Sequence, residues 1–410
     1  MSRSGAARIV VTGMGAVSPL GADLETSWRA CRDGEGAIAM RTIEPGEHGP
    51  PPFTLPLART PDNPVPSLEQ KLGRKIGASL DPFSVYALAS AVEALADAGL
   101  QREQLKRAAI VFGHGIGGLH TFDENYERFY GRKIARQHPM SVPKAMTSAP
   151  PSAIAMEFGV EGPVFAVSSA CASSGHAIAQ GAMLIAAGKT DIAIVGGSEA
   201  IASPGCLAAW DGLRAMSPTT CRPFSAGRDG MAMGEGGACI ILESAAHAEA
   251  RGARVIAELA GTGVSSDAEH WTQPRLEGAL GAMREACAEA GVLEEEGLLI
   301  STHGTGTPLN DQNEAQAINA LFGPRAAGHH VIATKSAHGH LIGASTALQA
   351  ALGLCALRDR VAPPILNYLG PDPACDLNLV LGAARAIESR VLLVNSFAFG
   401  GLNAALVFRA

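Results

Sequence analysis

Ala94-Leu95-Ala96-Asp97-Ala98-Gly99-Leu100, followed across a polar turn by Ala109-Ile110-Val111-Phe112-Gly113, has an echo later in the chain. Ala286-Cys287-Ala288-Glu289-Ala290-Gly291-Val292 leads likewise to Leu298-Leu299-Ile300 and then Gly304. Each copy predicts an amphipathic helix stopped by a glycine, then a short continuous apolar strand of the kind buried on both faces. A looser echo lies between them: a helix over 172–187 before a strand at Asp191–Val195, and a helix over 343–357 before an extended, proline-containing segment. Alternating helices and apolar strands, met twice, predict an α/β protein built as a duplicated unit.

Local signals extend this frame. Asp81-Pro82 supplies an N-cap and an N1 proline, Ala87, Leu88, Ala91, Val92 and Leu95 keep a helical stripe, and Gly99 ends it. Residues 45–66 carry eight prolines, which predicts a surface excursion without helix interior or central strand. Arg8-Ile9-Val10-Val11-Thr12-Gly13 reads as a first strand entering a turn rather than a signal peptide.

The composition sets the bounds. In 410 residues, 47% are hydrophobic and 17% charged, enough for a large core and too apolar for disorder. A net charge of −7 excludes a generally basic nucleic-acid binder. Aromatics reach only 5% while Gly totals 48, which predicts a small-residue core with close backbone approaches. The eight cysteines stand singly with no C-x-x-C, as in a reduced, cytosolic protein. No apolar run approaches the roughly 18 residues of a membrane span, so no membrane insertion is expected.

Three motifs do not carry the chemistry they first suggest. Gly113-His114-Gly115-Ile116-Gly117-Gly118 fits a dinucleotide fingerprint, but Phe122–Tyr126 is not a second strand ending in a lone acid. Gly188-Lys189-Thr190 resembles the end of a phosphate loop, but Met183 stands where its first glycine belongs. His329, His330, His338 and His340 lie close together without a Cys or acid at ligand spacing, so no metal is expected.

The chemistry concentrates elsewhere. Val164–Ser169 is strand-like, Ala170-Cys171-Ala172-Ser173-Ser174-Gly175 is built of small residues, and a long aliphatic helix follows. This places Cys171 on a strand-to-helix turn, where a helix N-terminus is expected to favour the thiolate. Ser301–Pro308 puts His303 just past a buried strand among small hydroxyl residues. Thr334–Gly343 puts Lys335, His338 and His340 after another. Asn395–Asn403 follows Val391–Val394 and holds the mobile Gly400-Gly401 pair.

Together with Val10–Gly21 and Arg228–Gly236, these segments strongly resemble the β-ketoacyl-acyl-carrier-protein synthases, thiolase-fold condensing enzymes, and most of all the synthase II-like branch. The resemblance runs nearly end to end. It implies five α/β/α/β/α layers in two pseudo-symmetric halves, here 1–257 with the nucleophile and 258–410 with the two histidines and the lysine. It implies decarboxylative condensation of an acyl thioester, held on Cys171, with malonyl-acyl-carrier protein, in fatty-acid or type II polyketide or polyene synthesis. The amides of Cys171 and Phe399 would form the oxyanion hole, and His303 and His340 would donate Nε2–H to the malonyl carbonyl. Lys335 would set their electrostatics, Thr305 and Thr307 would hold the pantetheine arm, and Phe399 would gate an acyl tunnel near Ile116. No metal, nucleotide or other cofactor is implied. The partner is an acidic acyl carrier protein, for which Lys71, Arg74, Lys75 and Arg214 are candidate docking residues, and the assembly is a homodimer or a heterodimer with a ketosynthase-like subunit.

Departures from the family pattern are Gln349 where an acid is common, Ala398 for Gly, Leu402 for Thr and Ser225 for Asp. None removes a catalytic group; together they point to a specialised pathway. The alternatives are a non-catalytic or partner-dependent chain-length subunit, against which Cys171 argues, and a Cys-His thioester hydrolase, for which no extra base is evident.

Overall fold

The computed structural model describes residues 8–61, 63–76, 79–295 and 297–410. Ten strands form its main sheet. The first half contributes β1 (Ile9–Val17), β2 (Ala109–Gly113), β3 (Val164–Val167), β4 (Ile192–Glu199) and β5 (Gly236–Ser244). The second contributes β6 (Ala257–Ser266), β7 (Leu299–Ser301), β8 (His330–Ile332), β9 (Val391–Ala398) and β10 (Leu402–Arg409). The helices that matter here are α1 (Pro82–Ala98), α2 (Ser173–Ala186), α3 (Leu276–Ala290), α4 (Pro308–Phe322) and α5 (Ser345–Asp359).

The two halves share one topology. The first runs β3-β2-β4-β5-β1 and the second β8-β7-β9-β10-β6; in each, the first three strands are parallel and the last two antiparallel. Only two residue pairs, Val10 with Glu258 and Val11 with Ala257, join β1 to β6. Helices α2 and α5 touch each other, their own strands and strands of the opposite half, so they form the central layer. Outside lie α1 against β1 and β5, and α3 against β6 and β10. The result is the five-layered α/β/α/β/α thiolase arrangement.

Glycine makes the layers close. A Cβ on Gly13 or Gly15 of β1 would stand 2.3 and 2.4 Å from the carbonyls of Ala94 and Ser90 on α1. On Gly261 and Gly263 of β6 it would stand 2.1 and 2.0 Å from those of Ala286 and Ala282 on α3. The same contact, at the same two-residue spacing, recurs in both copies and accounts for the echo that opened the sequence. The helix ends agree as well: Asp81 caps α1, and Gly99 and Gly291 close α1 and α3 in the left-handed region.

The proline-rich segment departs from expectation. Phe53–Ala58 is the middle strand of a three-stranded sheet, between Ile38–Ile43 and Met233–Gly234, and Leu55, Leu57 and Ala58 are buried. Pro56 is tolerated because pairing with Met233–Gly234 begins only at Leu57, so no ladder bond needs its missing N–H. The second echo also needs correction. The strand equivalent to β4 is β9, some thirty residues beyond α5, because Val361–Ala362 and a long excursion intervene.

Candidate active site

Cys171 is placed by a strained turn. After β3, Ala170 adopts φ +49°, a left-handed conformation that costs a non-glycine residue about 1 kcal/mol. Residues Ala170–Ala172 form one short helical turn before α2. The Ser173 hydroxyl holds this turn, accepting from the Ser169 N–H at 2.9 Å and donating to the Ala170 carbonyl at 2.6 Å. From the other half, the Ser396 and Thr346 hydroxyls donate to the Cys171 carbonyl at 2.9 and 3.4 Å.

His303 and His340 meet it from the ends of β7 and β8. His340 Nε2 lies 3.1 Å from Cys171 Sγ, and the two imidazole rings are nearly perpendicular with centroids 5.4 Å apart. The backbone N–H of Ile342 donates to His340 Nδ1 at 3.1 Å, with the Ser345 hydroxyl at 2.8 Å on the same nitrogen. Lys335 Nζ stands 3.3 Å from His303 Nδ1. A nitrogen that faces a fixed donor must accept, so in both rings the proton resides on Nε2. Burial, the Lys335 charge and, for His303, the neighbouring imidazole hold both rings well below the ordinary histidine pKa. Both are neutral Nε2–H donors, and that of His340 reaches the Cys171 sulfur.

Lys335 is fully buried. Its ammonium also donates to the His303 carbonyl at 2.6 Å and to Gln349 Oε1 at 2.7 Å. The Gln349 amide in turn donates to the Thr302 carbonyl at 2.5 Å. Burial lowers the lysine pKa, while Glu314, Cys171, Cys221 and Asp311 act against that shift. The Glu314 carboxylate, on α4, accepts from the N–H groups of His303 and Gly304 at 2.8 and 2.9 Å and from Asn395 Nδ2 at 3.1 Å.

The resting sulfur is not the anion expected from its position before a helix. Burial pushes the Cys171 thiol up to about 11; the Lys335 ammonium and the N–H groups of Phe399 and Cys171 pull the other way without overcoming it. Desolvation of a thiolate outweighs the partial positive charge of one helix end. The N–H groups of Phe399 and Cys171 both approach the sulfur.

A cleft of about 380 Å³ opens onto Cys171, His303 and His340 and is lined also by Thr305, Thr307 and Phe399. The Thr305 and Thr307 hydroxyls lie 2.9 Å apart. Ala398 sits buried at the end of β9, and Gly400 and Gly401, both with positive φ, make the turn into β10 at Leu402. Ile116 does not line this cleft; its N–H, with those of Gly115 and Gly343, faces the buried carboxylate of Glu199. Of the candidate docking cations only Arg214 lines it. Arg74 pairs with Glu157 and Lys75 with Glu69, and Lys71 lies elsewhere on the helix Val65–Leu72. Ser225 accepts from the Leu369 N–H at 2.8 Å, a loop contact away from the sulfur.

Sequence reasoning missed Glu199, Asp311 and Glu314. Asp311 and Glu314 are three apart on α4 and both wholly buried, with Asp311 accepting from the N–H groups of Phe224 and Gly306 at 2.8 and 3.2 Å. Two acids on one helix face otherwise read as solvated charge; the only signal was the alanine and isoleucine around them.

Among the described residues, Cys171, His303 and His340 have donor atoms within 4.8 Å of one another, a set that in number and type could hold zinc. Ligation through Nε2 would move the His340 proton to Nδ1, against the N–H of Ile342. The Lys335 ammonium adds repulsion. The geometry therefore fits hydrogen-bond donation to an anion, not metal binding.

Comparison with known proteins agrees. The family described as Beta-ketoacyl synthase, N-terminal domain matches residues 6–248, and its C-terminal domain matches residues 256–369. Nodulation protein E of Rhizobium meliloti (strain 1021) is 40% identical over 405 residues, covering 98% of this chain and 99% of its own. The 3-oxoacyl-[acyl-carrier-protein] synthase 2 of Staphylococcus aureus (strain COL) is 35% identical over 411 residues, 98% of each. Among solved structures, the ishigamide ketosynthase/chain length factor superposes with a TM-score of 0.91 at 32% identity, covering 99% of this chain and 100% of that one. Topology, the Cys-His-His site and these matches together show that the chain belongs to the β-ketoacyl synthase family of acyl-transferring condensing enzymes.

Proposed function

We propose that the protein condenses an acyl group carried on Cys171 with malonyl-acyl-carrier protein, releasing CO2 and β-ketoacyl-acyl-carrier protein. The observation that carries this is the cluster of Cys171, His303 and His340, whose donor atoms lie within 4.8 Å of one another, with His340 Nε2 at 3.1 Å from the sulfur. In the first step Cys171 Sγ bonds to the acyl carbon and the bond to the pantetheine sulfur breaks. The thiol proton ends on the departing pantetheine thiol, and the N–H groups of Cys171 and Phe399 hold the transient oxyanion. In the second, the malonyl C–C bond breaks, CO2 leaves, and its electron pair becomes an enolate held by His303 and His340. That carbon attacks the acyl-Cys171 carbonyl, a C–C bond forms, and the Cys171 sulfur leaves and takes one proton from solvent.

The first half, 1–257, supplies the nucleophile and the second, 258–410, the decarboxylation site. A carrier protein is supported by the name of the staphylococcal relative, and a fatty-acyl or type II polyketide substrate by the relatives as a group. The second reading, a partner-dependent subunit, draws on the likeness to a ketosynthase/chain length factor, but a complete Cys-His-His set favours the catalytic member of such a pair. The enzyme would work in the cytoplasm, as a homodimer or beside a ketosynthase-like partner.

Intact-protein mass spectrometry after incubation with acyl-carrier protein should show a single acyl adduct, absent in Cys171→Ala; an adduct elsewhere, or none with any chain, removes the assignment. Cys171→Gln should retain malonyl decarboxylation. His303→Ala should keep acylation and lose condensation by 100-fold or more, roughly the lower end for a positioned catalytic donor; unchanged condensation would take His303 out of the mechanism.

A further inference from the structure

The docking surface was expected to be locally basic, but of Lys71, Arg74, Lys75 and Arg214 only Arg214 lines the cleft, and the cleft's exposed rim is largely apolar. Trp271 is 81% exposed, Leu309 58% and Leu213 42%, and all three line the cleft that ends at Cys171. Beside them stands the exposed guanidinium of Arg214, with no carboxylate partner among the described residues. Asp229, which also lines the cleft, pairs with Arg222 at 3.7 Å, and behind the rim Arg275 pairs with Glu269 at 2.9 Å. Large apolar side chains displayed singly need no explanation, but three around one cavity mouth do.

The segment that carries Trp271 is also tied to the gate. The Trp271 carbonyl accepts from the Gly400 N–H at 2.7 Å, and the Asp267 N–H donates to the Gly401 carbonyl at 2.9 Å. Asp267 accepts from the Arg275 N–H and from Asn403 Nδ2, which fixes both ends of the segment against β10. The rim is thus held as a formed surface, continuous with the turn that presents the Phe399 amide to the sulfur.

We propose that this rim, with Trp271 at its centre, is the docking surface for the carrier protein that delivers acyl and malonyl groups; the proposal rests on the condensing function inferred above. Any carrier whose pantetheine arm reaches Cys171 through this cleft must seat its arm-bearing face on the mouth. The chain's net charge of −7 would repel an acidic carrier at long range, and the free cation at the mouth is Arg214. Affinity therefore comes from burying the indole and the two leucines, a contact that salt does not screen, with Arg214 setting orientation.

The test compares two substrates of the same acyl chain, one on the carrier protein and one on free pantetheine, by the rate of Cys171 acylation in the full-length enzyme. For Trp271→Ala, KM for the carrier-borne substrate should rise about tenfold more than KM for acyl-pantetheine. Trp271→Phe should recover most of the difference, and raising the salt should not abolish the wild-type preference for the carrier. Because Trp271 is exposed, thermal unfolding should show both variants folded; Leu309→Ala, a smaller change at the same rim, is the second probe. Equal losses with both substrates would assign Trp271 to the pantetheine arm and overturn the docking surface, as would a carrier KM within about twofold of wild type in both variants. A wild-type chain that acylates Cys171 from neither substrate would instead overturn the condensing function, and the docking surface with it.

Discussion

Gln349 shows how one side chain sets the electrostatics of the site. Its neutral amide bridges Lys335 and the Thr302 carbonyl at the position where the sequence resemblance led to the expectation of an acid, and the carboxylates that act on the ammonium are Glu314 and Asp311. Burial lowers the Lys335 pKa, and the ammonium is present below that value and lost above it. Condensation should therefore fail as the pH rises through a value below that of an ordinary lysine. A carboxylate at 349 would stabilise the ammonium, so Gln349→Glu should move this alkaline limb upward by about one pH unit or more, the scale of one nearby opposite charge. A pH profile of condensation in both enzymes checks it; coincident alkaline limbs would remove Lys335 and Gln349 from pH control. The imidazoles, held well below their ordinary pKa, should contribute no acid limb near the usual histidine value.

At the scale of elements, the turn between β9 and β10 is packed against the helix Pro204–Gly212. Phe399 stacks on Trp210 with ring centroids 6.2 Å apart and planes 23° from parallel. Both join an apolar cluster with Cys206, Leu207 and Ile342, so the space behind the gate is filled by side chains. A long acyl chain must displace them. Trp210→Ala should raise the acylation rate with long acyl carriers relative to short ones by about tenfold, taking about 1.4 kcal/mol of lost packing as one decade. A panel of carriers of graded chain length measures this directly, and an unaltered length profile would place the acyl chain elsewhere.

Across the whole molecule, the duplicated sheet ends on an unpaired edge. Among the described residues strand β3 hydrogen-bonds only to β2, Phe165 on it is 37% exposed, and Met146, Met156 and Met183 are exposed. A bare edge among apolar side chains invites pairing with a second chain. Phe165→Asp should therefore lower the solution mass to that of one 42.0 kDa chain in sedimentation experiments, while the wild type sediments as a dimer. Equal masses for the two would locate the subunit contact on another face.

The sequence by itself determined what depends on neighbours along the chain. The helix, capping glycine and strand written twice fix the duplicated α/β frame, because caps and periodicity act over a few residues. The small residues around Cys171, and the histidines just past apolar strands, mark the reacting groups for the same reason. Only the tertiary structure decided their state. Whether the thiol is charged depends on how completely other layers bury it, and which imidazole nitrogen holds the proton depends on the Ile342 amide and the Lys335 ammonium. Glu199 became a buried acceptor only once the loop after β2 had packed against it, and Glu314 only once α4 had packed against the loop after β7. Pro56 could enter a central strand because its neighbour pairs one residue later. Desolvation and hydrogen-bond partnership arise between segments far apart in the chain, and no local pattern encodes them.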